Sequence, residues 1–225
     1  MKKQPKKVMQ VTHLYLPHLG GIELYVYRLS RDMMLKKLEC YVVTSSQGQG
    51  RVGRYADLGI QVIALPSKQL LPRNPFLFGF RKTVQEVNPH VVHIHSIWFL
   101  SSLQAAVLKR RYKYKLINTV HGVLPDQASF PVKVFIFLFK GVANYILRQS
   151  DVIIVLGESE KDKLIRNFSV SKEKIKVIGN GIDTTVPDPR AVTALNQKYG
   201  DYILFTGRII ADKNPDLLIR AFVRI

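Results

Sequence analysis

Three stretches of the chain combine residue types suited to a phosphorylated ligand. In "PHLGGIELYVYRLSRDM", residues 17–33, Gly20 and Gly21 stand between a hydrophobic strand pattern and an amphipathic helix. Paired glycines at a helix start let the backbone come close to a ligand, with free amides and the positive dipole end facing it. The spacing L-G-G-I-E lacks the third glycine of a dinucleotide fingerprint and the Lys and Ser/Thr of a P-loop. A tight turn is the competing reading, with Glu23 stabilising the helix start. The second stretch is "TVHG", residues 119–122, at the carboxyl end of an expected strand, the edge that faces the ligand crevice in open α/β sheets. His121 there can bond a sugar hydroxyl or a phosphate, or move a proton; a structural role is the alternative. The third is "LFTGRIIADKNPDLLIRAF", residues 204–222, where Arg208 and Lys213 flank a strand-to-helix loop and Asn214-Pro215 opens a helix. An Arg fork and a Lys point charge can clamp a diphosphate; two solvated cations are the plainer reading. His93 and His95 in "HIHSIW" are spaced i, i+2 and share a strand face. Two histidines without a third ligand make a weak zinc site, so they are read as packing or cleft-lining groups.

The elements that must position these residues alternate along the chain. Strand patterns fall at 8–14, 39–45, 60–66, 90–95, 115–121, 151–157, 174–180 and 201–207. Helical periods lie between many of them, at 77–87, 97–110, 131–149 and 158–168, and in the first helix Ile22, Val26, Leu29 and Met33 recur on one face. Residues 46–59 and 66–80 read as loops. Continuous apolar strands are buried on both faces, as parallel sheets require. The fold class is therefore α/β, a doubly wound parallel sheet of Rossmann type. "GNGIDTTVPDPRA" reads as a linker, giving a domain over 1–180, a linker over 181–200, and the start of a second, incomplete domain over 201–225.

Composition is globular: 47% hydrophobic and 22% charged residues in a 225-residue chain. The single Cys40 excludes an intrachain disulfide and fits a reducing compartment. The net charge of +18 is uneven, with 28 basic and 11 acidic residues in 1–180 against six and five in 181–225. That imbalance predicts attraction to an anionic surface, either nucleic acid or acidic lipid. Neither a secretory signal nor eighteen uninterrupted apolar residues is visible, and the expected location is the cytoplasm. "KRRYKYK" (109–115), "KKQPKK" and the lysines of 161–176 are the densest basic clusters. Phe135, Ile136 and Leu138 in 130–147 offer an apolar surface, so peripheral attachment to an anionic membrane face competes with a solvated fringe and a core helix.

Taken in order, G-G-I-E, H-G, "SDVIIVLGESEKDKLI", "VIGNGID" and "GRIIADKNPDLLIRAF" resemble a retaining glycosyltransferase of family four, from about residue 8 to the end. The resemblance implies a GT-B architecture, two Rossmann-like lobes, the first on the acceptor side and the second holding a nucleotide sugar. It implies that Gly20 and Gly21 lie beside the donor diphosphate, that His121 supports the transition state near the transferred sugar, and that Arg208 and Lys213 neutralise the departing diphosphate. Cations aimed at charge that develops in the transition state are among the largest catalytic terms. The family generally needs no bound metal or cofactor. The implied partners are a nucleotide-diphosphate sugar and a lipid-linked, polysaccharide or other glycan acceptor, and no nucleic acid is expected.

The family pattern continues with a glutamate pair, E-x(7)-E, and no such pair follows Lys213 before Ile225. The expectation is a fragment, a truncated reading frame or a chain needing a second polypeptide, with poor turnover by itself. Two other readings compete. One is a basic nucleic-acid-binding module, with tyrosines alternating with lysines in "RRYKYK". The other is a non-catalytic lobe that partners an intact transferase.

Overall fold

The computed structural model of the chain describes residues 6–47, 50–71, 74–124, 130–182, 187–200, 202–207, 209 and 213–224. The chain divides into two compact units, Met1–Asn180 and Gly181–Ile225.

In the first unit the strands are β1 (Lys7–Val11), β2 (Glu39–Ser45), β3 (Gly53–Asp57), β4 (Ile60–Leu65), β5 (Ser67–Leu71), β6 (Asn74–Leu77), β7 (Val91–His95), β8 (Lys115–Val120), β9 (Val152–Val155) and β10 (Ile175–Val177). The helices are α1 (Gly21–Leu35), α2 (Phe80–Val87), α3 (Leu100–Tyr112), α4 (Phe130–Gln149) and α5 (Glu158–Asn167). Eight strands form one sheet in the order β10-β9-β8-β7-β1-β2-β4-β3. Every pairing is parallel except that of β3 with β4. This is the expected Rossmann-type sheet with an antiparallel edge added.

The strand period of two sorts residues between the faces. Met9, Val11, Val43, Val92, Ile94, Leu116 and Val120 join the larger core with Phe80, Val84, Ala105, Ala106, Ile146 and Leu147 from α2, α3 and α4. On the other face Val42, Ile60 and Val62 pack with Val26, Ile22 and Met34 of α1. β1 keeps the same alternation, but between Met9 and Val11 it carries the fully buried amide of Gln10.

Two stretches expected as loops contain strands. Residues 46–59 include β3, which is paired through the two-residue turn Leu58–Gly59 to β4, in the register Asp57↔Ile60. Both turn residues have positive φ, 46° and 89°, as a type I′ hairpin requires. Residues 66–80 include β5 and β6, a separate antiparallel pair. β3 and β5 are largely polar or exposed, and β6 is buried but only four residues long and opens with Asn-Pro, so none has the apolar run that marked the others.

In the second unit α6 (Pro189–Tyr199) begins within the stretch expected as a linker, capped by Asp188 Oδ1, which accepts from Arg190 N at 2.9 Å. α7 (Pro215–Phe222) follows Asn214. The strand expected over 201–207 does not form among the described residues there. A strand exists only against a hydrogen-bonding neighbour, and the described residues of this unit supply no second extended segment.

Candidate functional site

The strand order reverses at β1: β2 and β4 lie on one side of it and β7, β8, β9 and β10 on the other. At such a switch point the two connections diverge and leave a crevice outside the carboxyl ends of the strands. α1 leaves from β1 on this edge, and the loop after β8 carries His121.

Five polar side chains of the sheet and its loops meet here on the α1 side, with Tyr25 of α1 packed over them. His95 Nε2 is 2.8 Å from Gln10 Oε1, and His95 Nδ1 is 3.2 Å from His121 Nε2. His93 Nε2 is 2.7 Å from Thr119 Oγ1, and the rings of His93 and His95 are 4.4 Å apart. Tyr25 of α1 packs edge-on to His121 at 4.9 Å and to His95 at 5.7 Å. Burial in the sheet disfavours charge on all three imidazoles. It lowers His121 to about 4, while His93 is lowered to about 3 by burial and by His121. His95 is pushed well below its ordinary value by burial and then by its two neighbours. The three rings are therefore neutral at pH 7. Among the described residues no group of three His, Cys, Asp or Glu side chains is placed to hold a metal ion. His95 shows why the spacing misleads, since both of its ring nitrogens already have protein partners.

The loop that aims His121 is anchored on both sides. Val123 N donates to Glu160 Oε2 at 3.0 Å, and Trp98 Nε1 donates to Val123 O at 3.1 Å. The neighbouring turn after β7 holds Ser96 at φ 92°, a conformation L-residues rarely adopt. It is fixed by Ser102 Oγ donating to Ser96 O at 2.7 Å and Ser96 N donating to Thr119 O at 2.8 Å. Backbone strain of this kind collects at functional edges.

At the start of α1, Gly20 is extended (φ −156°), and no side chain caps the helix. The reason for glycine at 20 is therefore contact, not φ: an added Cβ would collide with the buried carboxylate of Glu23, which folds back over it. Beside Gly21 nothing lies within 4 Å of where a Cβ would be. The second glycine thus keeps an open approach to uncapped helix amides.

Of the residues singled out from the sequence, the fold brings His121, His93 and His95 into one cluster, with Gly20 and Gly21 at the head of the helix that covers it. Lys213 is exposed in the second unit, just before Asn214, whose left-handed backbone (φ 45°) leads into α7. Arg208 lies outside the described residues. Sequence reasoning missed Gln10, Tyr25 and Thr119. Gln10 had a signal, as the polar interruption of "VMQV".

Residues 19–186 match the family profile described as Glycosyltransferase Family 4. A phosphatidylinositol N-acetylglucosaminyltransferase component of Arabidopsis thaliana is 24% identical over 234 residues, which cover 100% of this chain and 50% of the relative. D-inositol 3-phosphate glycosyltransferase of Xylanimonas cellulosilytica is 27% identical over 230 residues, 90% of this chain and 54% of the relative. The chain thus spans about half the length of these curated relatives. The Anabaena protein HepE, crystallised in complex with UDP, superposes with a TM-score of 0.64 at 18% identity, covering 97% of this chain and 57% of HepE. That likeness is one of fold. The family match takes in most of the first unit, from the diglycine turn through the histidine cluster to the end of β10, and the chain belongs to Glycosyltransferase Family 4.

Proposed function

We propose that this chain works in the transfer of a sugar, with retention, from a nucleotide-diphosphate sugar to a glycan or lipid-linked acceptor. The observation that carries the reading is the neutral histidine cluster at the switch point, beside an uncapped helix start with open space at Gly21. Helix amides suit phosphate oxygens and neutral imidazoles suit sugar hydroxyls. Arg208 and Lys213 supply the positive charge that a departing diphosphate needs, so the reaction proceeds without a metal. A relative named for phosphatidylinositol, another named for inositol 3-phosphate and a fold neighbour solved with UDP support this class of acceptor and donor.

The acceptor side favours an anionic membrane surface. The first half of α4 exposes Phe130, Val132, Val134, Phe137 and Leu138, with Lys133 and Lys140 on the same exposed stretch. By length and composition α4 is able to cross a bilayer. Its second half, however, buries Ala143, Ile146 and Leu147 in the core. We therefore read it as a helix lying on the cytoplasmic membrane face, with the basic excess of residues 1–180 drawing the lobe to acidic lipid.

A thermal-shift screen of nucleotide sugars beside a filter-binding titration with single-stranded DNA tests the function. A saturable shift with a nucleotide sugar, lost in Lys213→Ala, supports transfer. Tight DNA retention with no nucleotide-sugar response would overturn it in favour of the nucleic-acid reading.

A further inference from the structure

Gln10 stands in the middle of β1 with no solvent exposure, and a buried amide needs a partner at each end. Its Nε2 lies 3.3 Å from Met33 Sδ and its Oε1 2.8 Å from His95 Nε2. A thioether only accepts, so the amide nitrogen belongs against Met33 and the carbonyl oxygen against the imidazole. That choice propagates. To bond a carbonyl oxygen, His95 must carry its proton on Nε2, which leaves Nδ1 of the neutral ring bare. His95 Nδ1 faces His121 Nε2 at 3.2 Å, so His121 must bring the proton to that contact. Burial holds His121 at about 4, so at pH 7 it has one ring proton, already committed to His95. Its Nδ1 is then a bare lone pair. No protein group among the described residues engages it, and it is not among the buried atoms left without a partner.

We propose that Gln10 and His95 are positioning residues which fix His121 as a hydrogen-bond acceptor toward the crevice, so that the group it meets is a donating hydroxyl. Resting on the proposed function, that group is a sugar or polyol hydroxyl. A phosphate oxygen is ruled out at His121 because it only accepts, and His121 has no proton to give the diphosphate near neutral pH. The sequence leaves three ligand-directed roles open for His121; the buried amide of Gln10, separated from the ligand by two side chains, selects one. It also explains why β1 tolerates an amide between two core residues: an apolar residue at 10 would leave His95 Nε2–H buried without an acceptor.

Histidine side-chain nitrogen NMR on the 225-residue chain at pH 7 reads the polarity directly. The expected spectrum shows a through-hydrogen-bond coupling between His121 Nε2 and His95 Nδ1, with the proton on the His121 nitrogen and His121 Nδ1 at the frequency of an unprotonated ring nitrogen. A proton on His95 Nδ1, or on His121 Nδ1, would overturn the proposal. In Gln10→Leu, which stays close to the volume of the side chain and removes its acceptor, the coupling is expected to be lost while His93 keeps its signals. Retention of the coupling with unchanged polarity in that variant would show that Gln10 does not set it. Titration with UDP-glucose separates this inference from the function on which its ligand rests: an intact relay whose His121 Nδ1 ignores UDP-glucose counts against sugar binding at this edge, and leaves the tautomer assignment standing.

Discussion

At the scale of single residues, the site depends on three imidazoles kept neutral by burial. The ordinary value for the exposed ring is 6.5, and the folded values of His121 and His93 are about 4 and about 3. Between those limits the unfolded chain binds more protons than the folded one, so stability falls as pH drops below 6.5 and is flat above it. Each ring contributes a slope of at most about 1.4 kcal/mol per pH unit. Urea midpoints measured from pH 7.5 to 4.5 should therefore decline on the acid side, and His93→Asn should reduce that slope by about one ring's share. An equal slope in the variant would mean that His93 titrates normally in the fold. His121 was legible in the sequence because it ends a strand on the ligand edge. Gln10 showed only as a polar interruption of β1; its bond to His95 was not legible, since contacts between residues 85 positions apart exist only once β1 and β7 are neighbours.

Elements show the same division. Seven of the strand patterns correspond to strands of the sheet, because buried parallel strands announce themselves as apolar runs. β3 did not, being polar and at the edge, and its turn carries a leucine where the usual signal is Asn or Asp. Leu58 is 79% exposed with φ 46°, so it holds a left-handed conformation and gains little from packing. Leu58→Asn should then stabilise the chain by about 1 kcal/mol, read as a rise in the urea midpoint. A fall would show that Leu58 makes contacts which outweigh its backbone strain. The eighth pattern, over 201–207, has the composition of a strand, but composition cannot provide the neighbouring strand that makes one.

For the molecule as a whole, the basic excess of residues 1–180 and the exposed apolar half of α4 argue for an acidic surface as the working environment. Each basic residue near such a surface contributes about 1 kcal/mol, screened by salt. Sedimentation with vesicles containing phosphatidylserine should retain the chain at low salt and release it as salt rises. Phe137→Asp, on a side chain that is 79% exposed, should weaken retention several-fold without lowering the melting temperature. Vesicles of neutral lipid that retain the chain equally well would contradict the charge argument. Whether the open helix start at the switch point receives a nucleotide sugar is decided by calorimetric titration of UDP-glucose into the wild type and Gly21→Ala. Alanine is a better helix former than glycine, and its Cβ meets no protein atom, so the variant should be at least as stable as the wild type. Binding to the wild type should be saturable and weakened tenfold or more in Gly21→Ala, because the added methyl occupies the ligand's approach. Equal affinity in the two proteins, or no binding to either, would contradict a nucleotide-sugar site there.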